Sequence, residues 1–480
     1  MSRLLDIVPS EIWRICWEHS DQASLARLCR TCSIFLDICQ PLLFQTRVVI
    51  IPHQSRSPDT TAEALDYALA QCKQRFLDVA SHPRIAHYVR SLELRDELAP
   101  DPTGHPDLNA VVAQFKTLVP KVFLDGLSAF SNLRSLQLHR ISLSGDGRRA
   151  LDALSSSLVD LHLYNCTLVS GRALPLKRLT IGHCEAPDTG EPLFIVDPRT
   201  VEDLSLRAGV TTSERAHFSV LRALAEETEP FSRLRNLSLE VPGLSATLLL
   251  AFLEKCTGVT TLFLVYPTTF LLDGTAKPTF VLPSTYLPNV HEIFCTYNLV
   301  GYLLPGRAVR TLKIFGYVMD KDSDLLATLS GAGKLSAPQQ QTLQNLFLLS
   351  PLSSAELGSV IELVQSTPLP LRELSITLEC QSNDLGLPLS GFMAFIHLLS
   401  TQDVVLPPLL EALTVVVMIP RNTLEFSQIY GMVDLRELAA RLAGPALQRF
   451  LLHYDGKNDL CIRLGPEGEW MFERREILVF

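Results

Sequence analysis

The sequence predicts an α/β solenoid, a repeated array in which short parallel strands line one face and helices and loops cover the other. One observation is a six-residue pattern, apolar-x-x-apolar-x-apolar, that recurs thirteen times between residues 89 and 452. Segments with helical periodicity lie between several of these hexads. The chain has 480 residues, of which 47% are hydrophobic and 19% are charged. This composition excludes a chain that is disordered as a whole.

The hexad has a simple physical interpretation. Its last two apolar residues are two positions apart, so they point to the same side of a strand, and the first turns into the interior just before it. From the second hexad onward the average spacing is about 28 to 29 residues, within the range of solenoid repeats. The hexads begin at Val89, Leu133, Leu158, Leu176, Val201, Leu234, Val259, Val290, Val309, Leu343, Leu371, Leu410 and Leu447.

The segments outside the hexads predict helices, one linker and a terminal cap. Residues 53–61 are polar and contain a proline, as in a linker. The tail from Leu460, with a turn at Gly465 to Gly468, predicts a hairpin-like cap on the exposed edge of the sheet. Helices are predicted for 62–80, which bridges to the repeats, and for 214–226, 244–255, 355–365 and 433–442.

The first fifty residues predict three short helices. Pro9 suits the first turn of a helix that runs to about His19. Asp21 is a plausible cap for a second helix, to about Arg30, and we expect Pro41 to stop a third helix that begins at Ser33. The apolar residues of the first helix span an arc of about 200°, wider than one core requires. This excess predicts either a cap that leans on the repeats or a face for another protein.

The N-terminal segment resembles an F-box. The resemblance is carried by Ile7-Val8-Pro9-Ser10-Glu11-Ile12, by Ser24 to Cys32 (SLARLCRTC) and by Pro41-Leu42-Leu43-Phe44. It implies docking on a Skp-type adaptor, which links such proteins to a cullin-RING ubiquitin ligase. The resemblance also implies that eight residues form or support the docking surface: Pro9, Ile12, Ile15, Leu25, Leu28, Leu42, Leu43 and Phe44.

The repeats resemble the leucine-rich-repeat class that often follows an F-box. Cys166 and Cys184 occupy the position where that class places asparagine or cysteine. The complete prediction is an N-terminal trihelical F-box followed by an irregular leucine-rich-repeat solenoid, with the parallel sheet on the concave face and helices and loops on the convex face. The predicted domains are 1–52 (F-box-like), 53–86 (linker and bridging helix), 87–459 (solenoid) and 460–480 (cap).

Motifs that could carry catalysis or bind a metal are weak, and we predict no catalytic residue, metal or cofactor. Cys29-x-x-Cys32 lacks two further zinc ligands at short spacing, and its context is helical. The sequence GAGKL at 331–335 lacks the earlier glycine and the following Ser or Thr of a phosphate-binding loop. His139, His162, His183, Cys166 and Cys184 fall in adjacent repeats, but no carboxylate stands at an obvious orienting position.

The residues between the buried leucines predict a binding surface for a protein target. Early repeats place polar residues there, whereas the middle repeats place apolar ones, of which five are the predicted binding residues: Phe263, Phe294, Phe315, Phe347 and Leu349. Aromatic side chains in a groove commonly carry binding energy. Two alternatives stay open: the insertions 266–289 and 316–342 could cover these residues, or a strand register shifted by one residue would turn them inward.

These observations predict the substrate-recognition subunit of an SCF-type ubiquitin ligase, which itself makes no bond. The alternative is a non-ligase repeat scaffold whose N-terminal helices cap the array. The net charge of −9 disfavours nucleic acid as a partner. We expect no signal peptide and no membrane span, and hence an intracellular protein of the cytoplasm, the nucleus or both.

Overall fold

The computed structural model shows a mixed α/β protein that divides into two compact units, unit 1 (Met1–Leu234) and unit 2 (Arg235–Phe480). The predicted segment 1–52 lies in unit 1 together with the first strands of the sheet. The structure describes residues 8–51, 62–96, 122–143, 145–168, 171–184, 196–207, 215–240, 246–265, 282–296, 299–315, 342–352, 370–379, 407–418, 446–454, 458–464 and 470–476.

Unit 1 contains six parallel strands whose order in the sheet is their order in the sequence, so the sheet is open. Each strand therefore contacts only the strands of adjacent repeats, as in a solenoid. The strands are β1 (Thr46–Ile51), β2 (Ser91–Asp96), β3 (Ser135–His139), β4 (Asp160–Tyr164), β5 (Arg178–Gly182) and β6 (Asp203–Arg207).

Unit 2 continues the same architecture. Its strands β7 to β14 are parallel and again follow the sequence order. They are β7 (Asn236–Glu240), β8 (Thr261–Val265), β9 (Glu292–Thr296), β10 (Thr311–Phe315), β11 (Asn345–Leu352), β12 (Glu373–Glu379), β13 (Ala412–Met418) and β14 (Arg449–Tyr454). Two antiparallel strands, β15 (Asn458–Leu464) and β16 (Trp470–Glu476), follow β14. The predicted C-terminal hairpin is confirmed, although its turn at 465–468 lies outside the described residues.

Each of the thirteen predicted hexads forms a strand, β2 to β14. The hexad residues form the core: Leu136, Leu161 and Leu179 are fully buried in unit 1, as are Leu262 and Leu312 in unit 2. The register places equivalent leucines opposite each other, for example Leu136 beside Leu161 and Leu161 beside Leu179. The stacked rows predicted from the sequence are therefore the hydrophobic core of each unit.

The helices largely agree with the sequence. The bridging helix spans the predicted residues, and the two described helices between later strands begin one or two residues after their predicted starts. The helices are α1 (Ser10–Trp17), α2 (Gln22–Leu28), α3 (Ser33–Gln45), α4 (Ala62–Ala80), α5 (Pro83–Tyr88), α6 (Gly145–Ala153), α7 (Arg215–Glu226), α8 (Ala246–Lys255) and α9 (Val300–Leu303). The predicted helices at 355–365 and 433–442 lie outside the described residues, and no described helix is long and apolar enough to cross a bilayer.

Two features near the N-terminus differ from the sequence prediction. Pro41 does not stop α3, which continues through it to Gln45. Proline in a helix interior removes one hydrogen bond and costs about 3 kcal/mol, and the packing of α3 against α2, α5 and β1 offsets this cost. The second difference is β1, an additional strand that follows α3 directly and pairs with β2.

A left-handed residue follows each of the strands β3, β4 and β5. Arg140, Asn165 and His183 have φ values of 59°, 53° and 54°. The amide of each donates to the last carbonyl of the next strand, at Tyr164, Gly182 and Arg207, over 2.8, 2.8 and 2.9 Å. This turn sends the chain back into the core, where Cys166 and Cys184 directly follow two of the left-handed residues.

Candidate protein-interaction surfaces

Helix α1 has two apolar faces. Trp13 and Trp17 are stacked with ring centroids 5.1 Å apart, and both contact the ring of Phe35 on α3, at 5.9 and 4.6 Å. Ile12 and Ile15 project from another side of the helix and remain 47% and 62% exposed. The tryptophans therefore form the face of α1 that packs on α3. The isoleucines are the excess apolar surface that the sequence predicted.

Five exposed apolar residues in or directly before the first three helices form what we call the N-terminal apolar set: Pro9, Ile12, Ile15, Ile34 and Leu36. Three of the eight predicted docking residues belong to it. Leu25 is buried at 4% exposure and therefore can only support the surface from behind. The other four predicted residues, Leu28, Leu42, Leu43 and Phe44, are half-buried.

The N-terminal helices are fixed to the rest of unit 1 by α3. The guanidinium of Arg84 on α5 donates to the carboxylate of Asp37 over 2.7 Å, and α3 packs against α5 and β1. At the second helix, the Asp21 side chain accepts the Ser24 amide at 2.8 Å, as the predicted cap requires. The apolar set is therefore presented on a folded support.

The second surface lies on the outward face of the sheet in unit 2, the face opposite the buried leucine rows. Burial alternates along β8 and β10, with the aliphatic hexad residues buried and the residues between them half-buried. Phe263 pairs in register with Phe294, and Phe294 pairs with Lys313, which pairs with Phe347. A register shifted by one residue is thus excluded, because it would place these rings inside the core.

The predicted aromatic residues contact one another across the strands. The ring centroid of Phe263 lies 6.0 Å from that of Phe294 and 5.4 Å from that of Phe315, to which it is nearly parallel. Leu349 on β11 is 43% exposed. We call Phe263, Phe294, Phe315, Phe347 and Leu349, together with Lys313, the aromatic face. The insertion residues 266–281 and 316–341, which could have covered it, lie outside the described residues.

Lys313 is a residue of this face that the sequence analysis missed. Its ammonium nitrogen lies 4.1 Å from the ring centroid of Phe294 and 5.1 Å from that of Phe347. It also forms a 3.2 Å ion pair with Glu292. The signal was present in the sequence, since Lys313 stands between the last two apolar residues of its hexad, in the same row as Phe294 and Phe347. The predicted binding surface included apolar residues only and therefore omitted Lys313.

The outward face of unit 1 is polar instead. Arg178 donates to both carboxylate oxygens of Asp160 over 2.6 Å on adjacent strands. The rings of His139 and Tyr164 are stacked with centroids 4.9 Å apart. Burial lowers the pKa of His139, against the opposing effect of Glu93, whose carboxylate lies 3.3 Å from Nε2. The outward face of unit 1 therefore presents charged and hydrogen-bonding side chains, whereas that of unit 2 presents aromatic rings.

The cysteines of the repeats have structural positions. The thiol of Cys166 donates to the carbonyls of Leu138 and Tyr164, and that of Cys184 donates to the carbonyls of Leu163 and Gly182, all within 3.4 Å. A hydrogen bond to Cys184, in which the protonated Cys166 thiol is the donor, and burial raise the pKa of Cys166. The Cys166 thiol is therefore protonated and unreactive at neutral pH.

The Cys29-x-x-Cys32 pair also takes part in the helical packing. The Cys32 sulfur accepts the Phe35 amide at 3.5 Å and caps α3. Burial raises the pKa of Cys29. Among the residues that the structure describes, no group of three or more His, Cys, Asp or Glu side chains is placed to bind a metal ion.

No protein-family model matches this sequence, and the search of curated proteins finds no match either.

Proposed function

We propose that this chain is a substrate-recognition subunit of an SCF-type cullin-RING ubiquitin ligase. In this proposal the N-terminal helices form an F-box that docks on a Skp-type adaptor, and the repeats bind a protein target. The observation that carries it is the exposure of Ile12 and Ile15 on a helix whose other apolar face is already packed. Neighbouring isoleucines that remain this exposed are typical of a surface completed by a partner.

The charge and chemistry of the repeats favour recognition over catalysis. The aromatic face combines four half-buried rings with one cation that is paired with Glu292, and aromatic residues are enriched at the centre of protein interfaces. The chain would then contribute proximity, by holding a target near a ubiquitin-loaded enzyme. The proposal implies an intracellular protein of the cytoplasm, the nucleus or both.

Copurification with a Skp-type adaptor tests the docking step. The full-length chain should retain the adaptor under conditions where a known F-box protein retains it. The double variant Ile12→Asp, Ile15→Asp should lose it, because a charge on each residue removes apolar contact and adds a desolvation cost. The matched control is Leu409→Asp, which changes an apolar residue that is also about half exposed but lies in unit 2.

The second candidate function is a repeat scaffold whose N-terminal helices only cap the sheet. The packing of α3 against α5 and β1 favours it, because a cap makes these contacts. The same experiment separates the two functions. An unaltered chain that fails to retain the adaptor contradicts the ligase proposal and favours the scaffold, and so does a double variant that retains it as well as the Leu409→Asp control.

A further inference from the structure

A charged residue interrupts the aliphatic rows of unit 1 at the first strand. In the register of the sheet, Arg47 of β1 lies opposite Leu92 of β2, and Val49 lies opposite Leu94. The next four strands continue the same row with Leu136, Leu161, Leu179 and Leu204. Arg47 thus occupies a position that every other strand of this unit fills with leucine. A local rule broken in this way commonly marks a functional site.

The described surroundings of Arg47 do not pair the Nε of its guanidinium. Its central carbon lies 4.2 Å above the ring of Phe44, which is a cation–π contact. Its Nε is buried and has no hydrogen-bond partner among the described residues. Burial lowers the pKa of Arg47, and no described charge offsets that effect. A buried donor without a partner is costly, so such groups are normally paired.

Unit 2 shows how this architecture satisfies a buried guanidinium when the role is structural. Arg307 is 3% exposed and donates to a set of backbone carbonyls around it. These carbonyls belong to Tyr286, Leu303, Pro305 and Pro283, at 3.1, 2.9, 3.0 and 2.5 Å. The contrast shows that this chain can pair a buried guanidinium with backbone carbonyls, whereas the Nε of Arg47 has no such partner among the described residues.

A cavity of about 680 Å³ lies beside Arg47, between β1 and helix α4. This volume is within the range of small-molecule sites. Its wall is mainly apolar and includes Val49, Phe76, Leu92 and Phe130. A second guanidinium, that of Arg75, also lines it, and so does Asp78, whose carboxylate accepts the amide of Gln74 at 2.7 Å. The lining of the cavity therefore combines apolar side chains with two guanidinium groups and one carboxylate.

The thiol in this cavity is not a nucleophile. Cys72 lies 3.5 Å from the carbonyl oxygen of Ile50, to which it donates. Burial raises its pKa, against the opposing charge of Arg75. A protonated thiol that is already hydrogen-bonded adds apolar surface and no chemistry. The cavity is thus suited to binding without covalent reaction.

We propose that this cavity binds an amphipathic carboxylate, with the acid group on Arg47 and the hydrocarbon body against Val48 and Ile50, which also line the cavity and are 50% and 45% exposed. A guanidinium presents two parallel donors that match a carboxylate. The site does not involve the N-terminal apolar set or the aromatic face, although Arg47 contacts Phe44, one of the predicted docking residues. A structural alternative exists, since an inward charge on the first strand of a sheet also discourages edge-to-edge aggregation. That role requires no cavity and predicts no ligand.

The test is isothermal titration calorimetry of the full-length chain with decanoate and with decan-1-ol, its uncharged counterpart. The unaltered chain should bind decanoate at one site and decan-1-ol at least about tenfold more weakly. Arg47→Gln should weaken decanoate binding about 10- to 100-fold and leave decan-1-ol binding unchanged. Ala68→Trp, which fills the cavity from α4, should abolish binding of both ligands. Arg199→Gln removes an exposed charge elsewhere in unit 1 and is the matched control.

Three results would overturn the proposal. The first is an unaltered chain that binds neither ligand. The second is equal affinity of the two ligands, and the third is decanoate binding that survives Arg47→Gln or Ala68→Trp. If Arg47→Gln fails to fold, the comparison of the two ligands on the unaltered chain still tests the charge, and Ala68→Trp still tests the location.

Discussion

Adjacent residues on β9 allow a direct test of whether the aromatic face is a recognition surface or part of the core. Ile293 points inward and is 0% exposed, whereas Phe294 points outward and is half-buried. Alanine at each position removes a large side chain from the same strand and from opposite faces of the sheet. We expect the smaller side chain to be the more costly one to remove.

The expected magnitudes follow from the contacts. Truncation of a fully buried isoleucine to alanine costs about 2 to 5 kcal/mol, through lost burial and the cavity left behind. Phe294→Ala removes the cation–π contact with Lys313, of about 0.5 to 1 kcal/mol. It also removes the ring contact with Phe263, of about 0.5 to 1.5 kcal/mol. Lys313 keeps its ion pair with Glu292. The cost for Phe294→Ala should therefore be about 1 to 2.5 kcal/mol.

Urea denaturation followed by circular dichroism measures both costs on the full-length chain. Two compact units need not unfold in one step, so the comparison uses the transition that Ile293→Ala shifts. Capture of proteins from a lysate by the unaltered chain, compared with both variants, gives the functional readout. Phe294→Ala should reduce capture of a target while the fold is retained. A cost for Phe294→Ala equal to that for Ile293→Ala would refute the reasoning, because the ring would then belong to the core.

Three further predictions concern charges, pH and thiols. Asp160→Asn should cost about 1 kcal/mol in urea denaturation, because it weakens the paired hydrogen bonds from Arg178, which is partly exposed and screened. The lowered pKa of His139 means that the folded state favours its neutral form. Stability should therefore decrease as the pH falls below about 6.5, and His139→Gln should reduce that decrease. In the native chain Cys16, which is exposed, should react with iodoacetamide at pH 8, whereas Cys295, whose pKa is raised by complete burial, should not.

Each of these predictions has an outcome that would contradict it. Asp160→Asn without a change in midpoint, at low salt as well as high salt, would show that the ion pair contributes nothing. An unchanged pH dependence in His139→Gln would assign the acid sensitivity to other groups. Modification of Cys295 as fast as Cys16, measured by mass spectrometry before unfolding, would contradict its burial.

Prediction from the sequence was most successful where the same packing requirement recurs in every repeat. The hexad predicted the strands β2 to β14 because each strand must bury the same two residues against its neighbours. It failed at β1, since Arg47 stands where the pattern requires an apolar residue. The end of α3 was also wrong, because local rules for Pro41 do not include the packing of that helix against α5 and β1.

The candidate surfaces could be predicted only in part for a related reason. Periodicity showed that α1 has too much apolar surface, but it could not show that Trp13 and Trp17 would take the packed side and leave Ile12 and Ile15 exposed. That choice depends on Phe35, which lies on another helix. Similarly, Lys313 contacts two rings on the neighbouring strands. These contacts depend on the strand register, which the sequence analysis did not use to place Lys313 beside the rings.

Pairing between neighbouring strands also affects how the sequence of such a protein can change during evolution. In both units each parallel strand touches only the strands immediately before and after it in the chain. A loop between two strands can grow or shrink while the ladder retains its alignment, and an outward side chain can be exchanged without disturbing the leucines behind it. The same backbone can thus acquire a different specificity one position at a time.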